Sequence, residues 1–385
     1  MRIVDIREGS LPISRYADPG IPSGGLTTSL VAVVTDQYRD RRPVIGYGFA
    51  SIGRFAQGGL IRERFAPRLL SATDADLHAV ADDNIDPLRC WHVMMRDEKP
   101  GGHGERCVAV GALDMAIWDA AAKIAGQPLY RFLAARLGRD TETPQVSLYA
   151  SGGYPYPVDD LAQLGAEIRR FLDQGYRRVK IKIGSAPPDQ DLRRIDTVLK
   201  LLPSADCLAV DAMNRYDAAT ALAMTRHLAS LDLMWSEDLC DPLDFSTLSE
   251  LARIHPAPLA AGEALFSRAE TALLLRHGGL RPDRDILLFD PAHCYGLTHY
   301  LQIIETCEIA GWARRAFWPH GGHLFSLHLA AALSLGGSEV NPAAFQPIGG
   351  LADHAIVLDG QAVPPELPGI GIEGRASFAR LFADL

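Results

Sequence analysis

Four acidic residues, each closing a short apolar run, recur along the middle of the chain at intervals of 26, 26 and 27 residues. Asp211 follows Leu208-Ala209-Val210, Glu237 follows Leu233-Met234-Trp235-Ser236, Glu263 follows Leu259-Ala260-Ala261-Gly262, and Asp290 follows Ile286-Leu287-Leu288-Phe289. A strand, a loop, a crossover helix and a second loop need about this length. Each acid is therefore expected at the C-terminal end of its own parallel strand, with all of them on one rim. Upstream, Val179-Lys180-Ile181-Lys182-Ile183 alternates β-branched residues with lysines, a period-two strand that points both ammonium groups the same way. Two such groups on a buried strand are costly unless anions face them, and the acids are the available anions.

From Val146 onward, strand and helix patterns alternate without a break. Helices are expected over Leu161–Gln174, Asp189–Leu202, Ala218–Leu228, Phe245–Ile254, Arg268–Gly278, Leu297–Gly311 and Leu324–Leu335, with a seventh strand at Arg315–Pro319 and an eighth ending near Glu339. So many units predict a closed (β/α)8 TIM-type barrel rather than an open doubly wound sheet. No glycine-rich nucleotide fingerprint or phosphate-binding loop follows a strand. A barrel takes about 250 residues, and the chain has 385, so a second domain is expected. Residues 1–127 read as an α+β capping domain, 128–344 as the catalytic barrel, and 345–385 as a segment returning to the cap. In the cap, strands are expected at Arg2–Arg7, Thr27–Thr35 and Pro43–Phe49, and helices at Gly59–Leu70 and Arg106–Ala125. The long loops Pro12–Gly25 and Ser51–Gly59 are candidate lids.

Composition narrows the partners. With 48% hydrophobic and 22% charged residues the chain reads as globular, and a net charge of −9 without a basic run argues against nucleic acid or an anionic membrane surface. No apolar run approaches a membrane span, and Met1–Ser10 lacks the apolar region of a secretion signal, so a cytoplasmic location is expected. The six cysteines include no C-x-x-C pair and read as reduced, buried small hydrophobes.

Asp211, Glu237 and Glu263 are hard oxygen donors with no cysteine or histidine among them, a set that suits Mg²⁺. Asp290 is left outside that shell. His320, in Phe317-Trp318-Pro319-His320-Gly321-Gly322-His323, ends the next strand, so Asp290 is expected to fix its tautomer and raise its basicity. The pair then faces Lys182 across the barrel mouth as a second acid/base.

Lys180-x-Lys182, Asp211, Glu237, Glu263, Asp290 and His320, in this order and spacing, resemble the mandelate racemase branch of the enolase superfamily, as does Ala112-Leu113-Asp114-Met115-Ala116-Ile117-Trp118-Asp119 followed by Lys123. Within that branch, Gln57–Phe65, Lys99–Arg106, Pro319–His323 and Phe345-Gln346-Pro347 resemble the D-tartrate dehydratases. That resemblance implies loss of water from a 2,3-dihydroxy diacid to give oxaloacetate. Two positions depart from the branch: Met213 stands where most relatives carry asparagine, and Asp238 replaces the second glutamate of a Glu-Glu pair.

The resemblance implies a mechanism. Mg²⁺ on Asp211, Glu237 and Glu263 binds the substrate carboxylate and α-hydroxyl and stabilises an enediolate. Lys180 adds charge and helps lower the pKa of Lys182, the base, and His320, held by Asp290, protonates the departing β-hydroxyl. Glu339 either hydrogen-bonds the carboxylate when protonated or is a solvated charge. Lys99, His103 and Arg54, with Trp318 beside them, are expected to contact the substrate end distal from the metal. Dehydration of an aldonate, racemisation or epimerisation of a 2-hydroxy acid, and a silent barrel that binds an acid sugar are the alternatives. A small acid-sugar or diacid substrate and a homo-oligomer are the expected partners.

Overall fold

The computed structural model describes residues 1–51, 56–78, 84–139 and 144–383. Its N-terminal part is an antiparallel sheet of β1 (Ile3–Pro12), β2 (Thr27–Arg39) and β3 (Arg42–Phe49), in that order. Residues 57–70 are helical, with a π turn at Ile61–Phe65 that the apolar periodicity does not reveal. The helix Glu105–Ile124 is buried from Cys107 to Lys123, as expected of a helix that is apolar on nearly every face. Its buried acids have partners on three sides. Asp119 accepts the backbone N–H of Tyr47 at 2.8 Å and of Ile370 at 2.6 Å, and Asp114 accepts the Thr298 hydroxyl at 2.8 Å. One helix thus joins the sheet, the C-terminal segment and the barrel.

The barrel strands are β4 (Val146–Gly152), β5 (Val179–Lys182), β6 (Leu208–Asp211), β7 (Trp235–Glu237), β8 (Leu259–Ala261), β9 (Ile286–Leu287) and β10 (Ser338–Val340). All run parallel, in the order β10-β4-β5-β6-β7-β8-β9, so that the gap between β9 and β10 falls where the seventh strand was expected. The short strand β11 (Gln361–Ala362) adds antiparallel to β4. The strand expected at Arg315–Pro319 is corrected: Arg314–Ala316 is a 3₁₀ turn, and only Phe317 bridges to Leu287. Trp318 N–H donates to Leu287 O and Gly336 N–H to Phe317 O, both at 3.0 Å. Pairing stops there because Pro319 has no N–H to offer a ladder.

Side-chain parity organises the ring. Val179 and Ile181 join the large apolar core, while Lys180 and Lys182 face inward. Deeper inside, Tyr149, Ala209, Trp235, Ala260 and Leu288 form a packed plug. All six cysteines are free, five of them buried and Cys207 half-buried. Among the described residues no helix is long and apolar enough to cross a membrane.

Candidate active site

Lys182, Asp211 and Glu237 are in register across β5, β6 and β7, so the strand pairing alone puts one ammonium and two carboxylates in a row at the rim. Glu263 and Asp290 lie just past their strand ends rather than on them. Gly262 allows the step, because at φ +122° its Cα faces the Phe289 ring and a Cβ there would stand 3.3 Å from that ring. Asp211, Glu237 and Glu263 each offer an oxygen within 4.8 Å of the others'.

This triad carries more negative charge than its neighbours cancel. Lys180 Nζ lies 2.6 Å from Glu237 Oε1 and 3.2 Å from Glu339 Oε1, and Lys182 Nζ contacts Asp211 Oδ2. Even so, burial, with Asp211 and Glu263 close by, pushes the Glu237 carboxyl up to about 8. Glu263 Oε2 is buried and accepts no well-aligned hydrogen bond among the described residues, with only the His320 imidazole, at 3.2 Å, paired to it. An all-oxygen set with surplus charge fits a hard divalent cation.

At the far end of the triad, His320 Nδ1 lies 2.8 Å from Asp290 Oδ2, and its Nε2 lies 3.2 Å from Glu263 Oε2. Burial opposes a charge on His320, but Glu263, Glu339 and Asp290 outweigh it and lift the imidazole to about 9. Gly321, at φ +117°, makes the turn that follows, and its N–H donates to Glu339 Oε2 at 2.8 Å. A Cβ on Gly321 would collide with His323 Nε2 and crowd Asp290 Oδ2.

Several expectations need correcting. Lys180 acts on Lys182 in the expected direction but does not decide its net shift. Burial and Lys180 do push its pKa down, but Asp211 in direct contact overrides them and raises it. Glu339 is neither protonated nor solvated: it is 1% exposed, and although burial opposes its charge, Lys180 and His320 hold it ionised. Trp318 is two residues before His320 and so shares its inward direction one layer deeper, packing on Tyr149 and Trp235 at ring distances of 5.9 and 5.6 Å. It belongs to the plug and not to the mouth. Lys99 and His103 line a separate cleft of about 430 Å³ with Arg106, Tyr295 and His299, and no triad residue lines it. Arg106 holds that segment away, donating to Lys99 O at 2.9 Å, Gly101 O at 2.7 Å and the Tyr295 hydroxyl at 2.8 Å. Arg54 and the lid stretch around it lie outside the described residues.

Sequence reasoning missed other residues. Ser51, fully buried, donates its hydroxyl to Asp290 Oδ2 at 2.7 Å across 239 residues. Tyr154 places its ring 5.6 Å from Lys182 Nζ, with the Arg15 guanidinium 5.8 Å from the same ring. Asn214 Nδ2 donates to Asp238 at 2.7 Å, so an asparagine does serve this rim, one position beyond Met213. The two candidate lids, Pro12–Gly25 with Arg15 and Ser51–Gly59 with Ser51, carried the local signals for these contacts.

An oxygen triad on the C-terminal rim of a (β/α)8 barrel, with lysines at one end and a histidine–aspartate pair at the other, defines a metal-assisted acid/base barrel. Residues 163–377 match the enolase C-terminal domain-like family. The chain belongs to that family, and so to the enolase superfamily. It is 29% identical to the L-talarate/galactarate dehydratase of Salmonella typhimurium, over 79% of this chain and 71% of that protein. It is 27% identical to the arabinonate dehydratase of Saccharolobus solfataricus, over 70% and 71%. The structure of L-talarate dehydratase from Polaromonas sp. JS666, complexed with Mg and L-glucarate, superimposes with a TM-score of 0.75 at 26% identity, covering 96% of this chain and 94% of that one.

Proposed function

We propose that this protein is a Mg²⁺-dependent dehydratase of a sugar acid, removing water by abstraction of the proton next to a carboxylate. The observation that carries the reading is the placement of Lys182 and His320 at opposite ends of the Asp211–Glu237–Glu263 triad. A dication held there would neutralise the charge that gathers on the substrate carboxylate as the proton leaves. Sharing Asp211 with that ion would strip Lys182 of its counter-charge, and burial and Lys180 would then favour the neutral amine a base requires. Lys180, held charged by Glu237 and Glu339, stabilises the carboxylate from the side. His320, held by Asp290 at 2.8 Å, gives its proton to the β-hydroxyl. The Cα–H and Cβ–O bonds break, water departs, and the enol ketonises to a 2-keto-3-deoxy acid.

The relatives compared above are named for talarate, galactarate and arabinonate, and the cation expected to read a distal carboxylate of tartrate, Lys99, sits in another cleft. The first point favours an aldonate or a longer aldarate over D-tartrate, and the second removes the cation on which the tartrate reading relied. The test is a panel of stereo-defined aldonates, aldarates and D-tartrate with the purified protein and Mg²⁺. A 2-keto-3-deoxy acid formed faster than oxaloacetate is expected. Oxaloacetate as the sole product would restore the tartrate reading, and deuterium incorporation with inversion but no keto acid would make the protein a racemase.

Two variants follow from the corrected placements. Lys99 is exposed, and losing an exposed charge costs about 1 kcal/mol or less, so Lys99→Met should change kcat/KM by less than about 5-fold. A larger fall would return Lys99 to the substrate. Ser51→Ala removes a buried donor from Asp290, a loss of about 1–3 kcal/mol. It should lower dehydration roughly tenfold while sparing exchange of the α-proton with solvent, and equal loss of both rates would show that Ser51 merely supports the fold.

A further inference from the structure

Asp290 is a crossroads for more than the acid step. Its Oδ1 is taken by the backbone N–H groups of Ala292 at 2.7 Å and His293 at 3.2 Å, which leaves Oδ2 aimed at two imidazoles and the Ser51 hydroxyl. His320 Nδ1 is 2.8 Å and His293 Nδ1 3.5 Å from that oxygen. The two rings stand 5.8 Å apart and are inclined by 36°. All three residues are buried, and each offers a ligand atom within 4.8 Å of the other two. Bonds of about 2.0–2.1 Å in tetrahedral geometry put neighbouring ligand atoms about 3.3 Å apart, so little movement would bring this set around an ion. His323 adds another ring nearby. Its Nε2 is buried without a hydrogen-bond partner, and a Cβ on Gly321 would lie 2.5 Å from it and 3.2 Å from Asp290 Oδ2.

The donor chemistry of this cluster differs from that of the triad. Two imidazoles and one carboxylate favour borderline ions such as Zn²⁺ or Co²⁺, whereas three carboxylates favour Mg²⁺. The sites meet at His320, whose Nδ1 faces Asp290 and whose Nε2 faces Glu263. We propose that Asp290, His293 and His320 form a second metal site, selective for Zn²⁺-like ions, whose occupation switches off the acid half of the reaction. An ion on Nδ1 keeps the imidazole neutral and engages Asp290, so no imidazolium remains to protonate the leaving hydroxyl. Lys182 and the triad are left in place. The site itself stands on geometry alone; its inhibitory consequence rests on the dehydratase reading.

The experiment separates the two. Protein saturated with Mg²⁺ is titrated with Co²⁺, and visible absorption is recorded for the wild type and for His293→Gln. Strong d–d bands of a nitrogen-ligated, low-coordinate ion are expected in the wild type, with affinity falling by more than about 100-fold in the variant, beyond the 10- to 100-fold that changes outside the ligand shell cost. Weak octahedral absorption in the wild type would overturn the site whether or not the variant folds and whether or not any sugar acid is turned over. In the kinetic arm, Zn²⁺ added over excess Mg²⁺ should stop dehydration and spare α-proton exchange. Parallel loss of both rates would mean that Zn²⁺ displaces the triad ion, and would overturn the switch.

Discussion

Glu237→Gln is expected to lower turnover by at least about 10³-fold, the rate equivalent of roughly 4 kcal/mol of lost charge stabilisation, while the protein stays folded. Glu237 is fully buried, with Oε1 2.6 Å from Lys180 Nζ and Oε2 accepting the Trp235 indole N–H at 2.9 Å. Glutamine keeps the shape and one accepting oxygen but turns an amide donor toward one of those two donors. That mismatch costs about 1–3 kcal/mol, less than the 5–15 kcal/mol typical of a folded domain. Lys180 keeps Glu339 at 3.2 Å as a counter-ion. The triad, in contrast, loses a formal charge from the ligand set itself, so Mg²⁺ affinity should fall together with kcat. Calorimetric Mg²⁺ titration, circular dichroism and turnover on one preparation check this. Wild-type affinity and turnover in a folded variant would sink the assignment of the metal to these carboxylates.

The second large effect divides the reaction at its midpoint. Lys182→Ala should stop exchange of the substrate α-proton with deuterated solvent, and with it all product. His320→Asn should leave exchange running and reduce dehydration by about 10²- to 10⁴-fold, the usual worth of one general acid. The geometry supplies the reason for the asymmetry. Lys182 contacts Asp211 at one end of the triad, and His320 lies 3.2 Å from Glu263 at the other, so removing either group leaves the opposite end assembled. Should the histidine variant stop exchange while the alanine variant continues it, the two roles are reversed.

Sequence alone determined the barrel and its rim, because both rest on local rules. Period-two alternation set the direction of Lys180 and Lys182, and the near-constant spacing of Asp211, Glu237, Glu263 and Asp290 set one acid per strand–helix unit. Those rules hold wherever the strands happen to pack. Tertiary structure decided everything that depends on which distant segments meet. Trp318 was legible as an inward residue, yet its depth follows from the ring of strands around it, which seats it on Tyr149 and Trp235. Lys99 carries the right charge for a distal carboxylate, but Arg106 and the Tyr295 hydroxyl anchor its segment in a separate cleft. Ser51 meets Asp290 only because the cap is laid over the barrel, across 239 residues of chain. The ionisation of Lys182 and Glu339 depends on burial and on charges from several strands at once, and in a low-dielectric interior such sums are fixed by three-dimensional distances that no spacing in a sequence encodes.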